Sequence, residues 1–180
     1  MRGDAPSAGT IGPSTTRLQL RFGFLFLFLI LVFALLTSTP LARRMLHEPL
    51  SRLIAALSRL ILSIFGTAST SGNNLGFNRF AASVEEACDG VLPTYIYVSA
   101  VLAFPSRWRD KAWGILFGIP AILLINIFRV VTLMMFGAYW RESFEQVHIY
   151  VWQAFVIALS LAIWVFWVER FVRPGVRTRA

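Results

Sequence analysis

Residues 113–136 read WGILFGIPAILLINIFRVVTLMMF, an apolar run that contains one amide, Asn126, and one cation, Arg129. A run of this length and composition predicts a membrane-spanning helix. An arginine near the centre of such a helix costs about 2.5 to 3.5 kcal/mol on insertion scales, so we expect a compensating role for it. Asn126 lies one turn away on the same helix face, where its amide could orient the guanidinium or bind a backbone group. This polar pair is the first indication of a functional site.

The composition of the 180-residue chain is that of an integral membrane protein, with 57% hydrophobic residues and a mean hydropathy of +0.66. The net charge of +8 comes mostly from Lys and Arg beside the apolar runs, which is typical of membrane topology rather than of nucleic-acid binding. The one cysteine, Cys88, excludes an intramolecular disulfide and a multi-cysteine metal site. We therefore predict a lipid bilayer as a partner, no nucleic acid, and no metal or other cofactor.

The apolar runs predict an all-α fold, a polytopic membrane helical bundle of about four transmembrane helices with one amphipathic interfacial helix. The predicted spans are residues 17–36, 84–104, 112–136 and 148–168. The first also resembles a signal-peptide h-region, but its long polar lead and the lack of a small-x-small site favour an uncleaved anchor. We predict a disordered cytoplasmic tail at 1–16, a single membrane-embedded domain at 17–168 and a basic cytoplasmic tail at 169–180.

The amphipathic helix is predicted at residues 46–65. One of its faces is Leu and Ile, and the other carries Glu48, Ser51, Arg52, Ala55, Ser58, Arg59 and Ser63. This pattern is typical of a helix that lies in the membrane interface or packs on other helices. His47 is interpreted as a polar-face residue of this helix.

The segment that leads to Cys88 is predicted in two parts. Residues 66–82 are rich in Gly, Ser, Thr and Asn, and predict an extended or looping connection. Ser83 and Glu86 have the spacing of a capping box, so we expect the next helix to begin at Val84 and to hold Cys88 in its second turn. A bend near Gly90 could open the backbone around the thiol.

Charge decides the predicted topology, because short cytoplasmic loops are enriched in Lys and Arg. Four spans and an inside N-terminus place most basic residues in the cytoplasm, namely Arg2, Arg17, Arg21, Arg107, Arg109, Lys111, Arg170, Arg173, Arg177 and Arg179. Arg43 and Arg44 do not fit, since they would lie outside, where they could contact headgroups.

Under this topology three reactive side chains share the outer side of the membrane. Cys88 is near the outer end of the second span, His148 is at the outer start of the fourth, and Arg129 is ~12 Å below the outer end of the third. A thiolate can attack a carbonyl, an imidazole can move protons, and a buried cation can stabilise the thiolate or an oxyanion. Their convergence predicts acyl transfer through cysteine, with Asn126 in support.

Each of these residues also has a structural explanation. Cys88 could be a buried small hydrophobe or a palmitoylated cysteine. His148 could be a helix-start residue bonded to the preceding loop. Arg129 could pair with Glu142 or Glu145, or snorkel toward water.

The combination Cys88-Asp89-Gly90, Asn126-x-x-Arg129 and His148, in that order and each at the outer end of a span, resembles the exosortase/archaeosortase family of membrane-embedded cysteine transpeptidases. The short chain looks most like the exosortase H type, over roughly residues 60–168. The resemblance implies that Cys88, Arg129 and His148 are catalytic. Asp89 is a departure, because these proteins usually have Ser or Ala between the Cys and the Gly.

What the resemblance implies is a membrane-embedded cysteine protease/transpeptidase that cleaves C-terminal sorting signals of exported proteins and transfers the proteins to an acceptor nucleophile. Its partners would carry a short motif, which is Ile-Pro-Thr-Leu for exosortase H relatives, then a transmembrane helix and a basic tail. The enzyme would lie in the bacterial inner membrane with its active site facing the periplasm. Gly114, Gly118 and Ala121 could pack against a substrate helix or, as we favour, within the protein.

A function of another class is also open. In this alternative the chain is a non-catalytic membrane assembly or cargo-binding protein, and Arg129 with its neighbours is a structural polar cluster.

Overall fold

The computed structural model describes residues 13–84, 88–140 and 147–172. The helices in chain order are α1 (Pro13–Thr37), α2 (Pro40–Ala42), α3 (Glu48–Leu62), α4 (Val91–Ala103), α5 (Trp108–Tyr139) and α6 (Gln153–Trp167). Turns of π-helix occupy Arg43–His47, Val147–Trp152 and Val168–Val172. The strands are β1 (Ala68–Ser71), β2 (Asn74–Phe77) and β3 (Phe80–Ser83).

Most of the described chain is helical and apolar, which confirms the predicted helical membrane fold. Within the described residues three segments are long and apolar enough to cross a membrane, namely Arg17–Thr37, Trp108–Tyr139 and Tyr150–Val172. The predicted second span is shorter than expected, because α4 has 13 residues and therefore rises only ~20 Å. α1 begins at Pro13, inside the predicted tail, whose residues 1–12 lie outside the description.

Of the two conformations predicted for residues 66–82, extended or looping, the extended one is observed, because residues 68–83 form a three-stranded antiparallel sheet with the order β1-β2-β3. Leu75, Phe77 and Phe80 turn inward and are buried. Positive φ angles at Gly72 and Asn78 form the two tight turns, as expected for two-residue hairpins. The signal that could have found this sheet is the alternation of apolar and polar residues at 74–80, between Asn and Gly turn residues.

The predicted helix start at Val84, in contrast, is wrong. Ser83 is the last residue of β3, and the N–H of Val84 donates to the carbonyl oxygen of Asn73 over 2.9 Å, which continues the hairpin contact. α4 begins only at Val91, after Gly90 adopts a left-handed conformation. Cys88 therefore lies in a short turn before α4 rather than in the second turn of a helix.

α3 packs on α5 and on the sheet through its small residues. Ser51, Ala55 and Ser58 are buried together with Ile54 and Leu62. The face of Leu and Ile is the exposed one, at Leu53, Leu57, Leu60 and Ile61. Of the two predicted arrangements, packing on other elements is therefore confirmed, and it leaves the apolar face outward, as suits a helix in contact with lipid.

Two apolar clusters hold α5 in place, one at each half of the helix. The C-terminal half, through Ile127, Val130, Val131 and Met134, packs against α3 and the sheet. The N-terminal half joins Tyr97 of α4 and Trp167 of α6. A Cβ added to Gly114 would lie 2.6 Å from the Nε1 atom of Trp167. Gly114 and Gly118 thus serve internal packing, since Gly118 meets the ring of Tyr97 in the same way.

Candidate functional site

The polar pair of α5 faces the protein interior. Asn126 is 1% exposed and Arg129 is 4% exposed, and both lie beside the apolar cluster formed with α3 and the sheet. Burial of a cation is costly unless polar groups surround it. The groups that face this pair belong to the turn between β3 and α4.

That turn is shaped by Gly90 and Asp89. Gly90 has φ +79°, and a Cβ placed on it would lie 3.2 Å from the Cγ atom of Asn126. Oδ1 of Asp89 accepts the N–H of Val91 at 2.9 Å, and the carbonyl oxygen of Gly90 accepts the hydroxyl of Thr94 at 2.7 Å. The backbone can thus approach α5 closely while the first turn of α4 is satisfied.

Two contacts from α5 reach Cys88. Asn126 donates from Nδ2 to the carbonyl oxygen of Cys88 over 2.6 Å. Nη2 of Arg129 lies 3.8 Å from Sγ of Cys88 and donates to it. Since residues 126 and 129 share one helix face, α5 holds both the backbone of the cysteine and its sulfur. Of the predicted convergence of Cys88, Arg129 and His148, the structure shows the contact between Cys88 and Arg129, with Asn126 beside them.

Two buried polar atoms at this site have no hydrogen-bond partner among the described residues. Within residues 13–84, 88–140 and 147–172, the buried Nε of Arg129 and the buried Oδ1 of Asn126 have no partner. Buried polar atoms are normally satisfied, so exceptions call for an explanation. Within the described residues, one donor on Arg129 and one acceptor on Asn126 therefore remain without a partner in the two side chains that contact Cys88.

His47 and Asp89 form a contact beside Cys88 that the sequence interpretation missed. Nδ1 of His47 hydrogen-bonds Oδ2 of Asp89, and the pair is buried, with Asp89 at 0% exposure. His47 was interpreted as a polar-face residue of the amphipathic helix, but it is buried and points at the residue that follows Cys88. The sequence separation between His47 and Cys88 does not indicate that His47 would contact the residue after Cys88.

His148 lies at the start of the last helix, in the π-helical turn Val147–Trp152. Its side chain lies outside the described residues, as do Glu142 and Glu145, the predicted alternative partners of Arg129. One turn after His148, the ring of Trp152 lies 5.9 Å from that of Phe128, the neighbour of Arg129. The helix that carries His148 therefore contacts α5 at the residue that precedes Arg129.

Comparison with models of known protein families identifies the family of this chain. A family model described as Transmembrane exosortase matches residues 10–167. The chain belongs to the transmembrane exosortase family. Searches among curated proteins and among solved structures give no match.

Family membership confirms the predicted resemblance of the chain to exosortases and extends it beyond the predicted start at residue 60 to include α1. The chain is accordingly a membrane protein of the exosortase family. The part of it that the structure describes contains no cluster of three His, Cys, Asp or Glu side chains able to hold a metal ion.

Proposed function

We propose that this exosortase-family protein is a membrane-embedded cysteine protease/transpeptidase, with Cys88, Arg129 and His148 as catalytic residues and Asn126 in support. The observation that carries the proposal is the 3.8 Å contact between Sγ of the half-buried Cys88 and Nη2 of the buried Arg129. A guanidinium beside a thiol favours the thiolate, which is the nucleophilic form of cysteine.

The reaction follows from these groups. Sγ of Cys88 attacks the carbonyl carbon of a substrate peptide bond, and the electron pair of the C=O bond moves to the oxygen. The C–N bond then breaks, and His148 gives a proton to the departing amine. The resulting thioester is attacked by an acceptor nucleophile, whose proton passes to His148, and the Cys88 thiolate is released.

Stabilisation of the oxyanion would come from α5. Nε of Arg129 is buried and has no partner within the described ranges, and it belongs to the same planar guanidinium that contacts the sulfur. A fixed donor that is already desolvated loses no solvation energy when charge develops. Arg129 can thus serve the thiolate first and the tetrahedral intermediate next.

The substrates that we propose are exported proteins with a C-terminal motif, a transmembrane helix and a basic tail. We place the enzyme in the bacterial inner membrane with the site toward the periplasm. Support comes from the position of Cys88 before α4, whereas the basic residues Arg107, Arg109 and Lys111 follow that helix, in the connection to α5 and its first turn. Short loops rich in Lys and Arg stay in the cytoplasm.

The test is co-expression of the full chain with an exported protein that bears such a tail, followed by mass measurement of the substrate's C-terminus. We expect a new C-terminus with wild type and an unprocessed substrate with Cys88→Ala at equal membrane abundance. Arg52→Lys, an exposed arginine on α3, is the matched control and should process normally. Processing by Cys88→Ala would refute the proposal and favour the non-catalytic assembly or cargo-binding function.

A further inference from the structure

A cleft outside the candidate catalytic site lies between α1 and the end of α4, at the opposite end of α4 from Cys88. It has a volume of about 600 Å³, and its walls are mostly apolar side chains within residues 18–25 and 102–105. Two cations also line it, Arg21 of α1 and Lys111 of α5. Among the described residues that line the cleft, none is acidic. The cleft therefore combines an apolar wall with a local excess of positive charge.

The sequence at the end of α4 explains one side of the cleft. A residue before proline is disfavoured in the α-helical region, and Phe104, which precedes Pro105, is extended with φ −67° and ψ 135°. α4 therefore ends immediately before Phe104, whose ring packs edge-on against Phe22 of α1 with the ring centroids 6.0 Å apart. The rest of the α1 wall is open, since Leu20 is 68% and Phe24 is 75% exposed.

Lys111 is held at the cleft by two contacts. Its Nζ atom donates to the carbonyl oxygen of Leu102 over 2.5 Å, one of the last carbonyls of α4, which the helix itself cannot satisfy. The same atom lies 5.1 Å from the centre of the Trp108 ring. An ammonium group has three N–H donors, so the cap on α4 uses only part of its capacity. The position of the ammonium group and its remaining donors suit an anionic ligand.

Arg21 supplies the second charge from the opposite wall. It is exposed and lies in the second turn of the span Arg17–Thr37, and Lys111 lies in the first turn of the span Trp108–Tyr139. Both cations are thus near the ends of their spans, where lipid headgroups meet the hydrocarbon. A phosphate between them would leave its acyl chains beside the exposed leucine and phenylalanine side chains of α1.

We propose that this cleft binds one anionic phospholipid, with its phosphate between Arg21 and Lys111 and an acyl chain against α1. Charge favours this ligand, because the basic tail of a sorting signal would be repelled by both cations, and a zwitterionic phospholipid would bring its own ammonium group toward them. In the orientation proposed above the cleft is cytoplasmic, where basic pockets between transmembrane helices are typical of headgroup binding. The inference goes beyond the catalytic proposal and does not require Cys88 to be a nucleophile.

The test is native mass spectrometry of the full chain, delipidated in a neutral detergent and titrated with phosphatidylglycerol or with phosphatidylcholine of the same acyl chains. We expect one phosphatidylglycerol molecule to bind at least tenfold more tightly than phosphatidylcholine, since each cation near a headgroup contributes about fivefold. Glycerophosphoglycerol, the same headgroup without acyl chains, should not bind in that concentration range. Equally tight binding of phosphatidylcholine or of glycerophosphoglycerol would overturn the proposal.

Matched variants test whether the lipid occupies this cleft. Arg21 is the residue to vary, because Lys111 also caps α4. Arg21→Gln should weaken phosphatidylglycerol binding about fivefold, and Arg21→Lys should retain most of the affinity because the charge remains. Arg109→Gln is the control, since it removes a positive charge from the same turn of α5 as Lys111, and residues two apart in a helix do not share a face.

Two outcomes of this comparison would overturn the proposal. If Arg21→Gln binds phosphatidylglycerol as the wild type does, the cleft does not hold the phosphate. If Arg109→Gln loses as much affinity as Arg21→Gln, the lipid is attracted by the surface charge in general rather than by the cleft.

Discussion

Asn126 donates from Nδ2 to the carbonyl oxygen of Cys88 over 2.6 Å, and Gly90, two residues after Cys88, lies so close that a Cβ on it would meet the same amide at 3.2 Å. The amide and the glycine therefore determine together how near the cysteine turn comes to α5. Because Arg129 is on the same face of α5, the distance between thiol and guanidinium depends on this backbone contact.

Asn126→Asp should lower processing at least tenfold while the protein still accumulates in the membrane. The new carboxylate cannot donate to the Cys88 carbonyl oxygen, and a buried acceptor left unsatisfied costs about 1–3 kcal/mol. The carboxylate would also attract Arg129 away from Sγ. Substrate mass analysis measures the loss, and Asn74→Asp on the exposed side of β2 is the control. Unchanged processing would show that the amide does not position the turn.

Arg129→Lys should reduce processing by about two to three orders of magnitude, the size seen when one oxyanion donor is removed. Lysine keeps the charge but loses the planar fork that can contact the sulfur and the substrate oxygen at once. The measurement is the single-turnover rate of substrate cleavage at equal protein abundance. Arg52→Lys is the control variant. If Arg129 were only a structural charge, lysine would preserve most of the activity.

His148→Ala should slow cleavage by about 10² to 10⁴, the usual contribution of a general acid and base. The departing amine would have no proton donor, so an uncleaved substrate should accumulate while Cys88 stays alkylatable. A time course of substrate cleavage, with maleimide labelling as the check on the intact site, distinguishes this from misfolding. Wild-type rates would leave His148 as a helix-start residue only.

Gly118→Ala should destabilise the bundle by about 1–3 kcal/mol, the usual cost of overpacking. The added Cβ would collide with the ring of Tyr97, whose hydroxyl donates to the carbonyl oxygen of Gly114 at 2.9 Å. The measurement is the melting temperature of each variant in detergent, compared with that of the wild type. Gly23→Ala on α1 is the matched control, because nothing lies within 4 Å of its Cβ position. Equal melting of the two variants would mean that α4 and α5 are not closely packed there.

Reporter fusions test the orientation of the protein in the membrane. A fusion at Ser106 or Ala180 should be active in the cytoplasm, and a fusion near Ser143 should be active in the periplasm, because the Lys and Arg residues retain the first two regions inside. The inverse pattern would move the site to the cytoplasmic side and exclude exported substrates.

Much of the candidate site was predictable from local patterns. Asn126 and Arg129 share a face because a helix has 3.6 residues per turn, and polar residues inside an apolar span are expected to face protein. The distance from Arg129 to Cys88 was not predictable, since the cysteine was expected inside a helix and lies in a turn shaped by Gly90. A capping-box spacing at Ser83 was outweighed by the pairing of β3 with β2.

The sequence by itself determined the membrane character, the long helices and the family. Hydropathy and the order of motifs can be read directly along the chain, without knowledge of its tertiary contacts. Only the tertiary structure decided that His47 contacts Asp89 across 42 residues and that α3 buries its serines. The reason is that such contacts depend on how elements are rotated against each other. Here a π-helical turn precedes α3, and a left-handed glycine precedes α4.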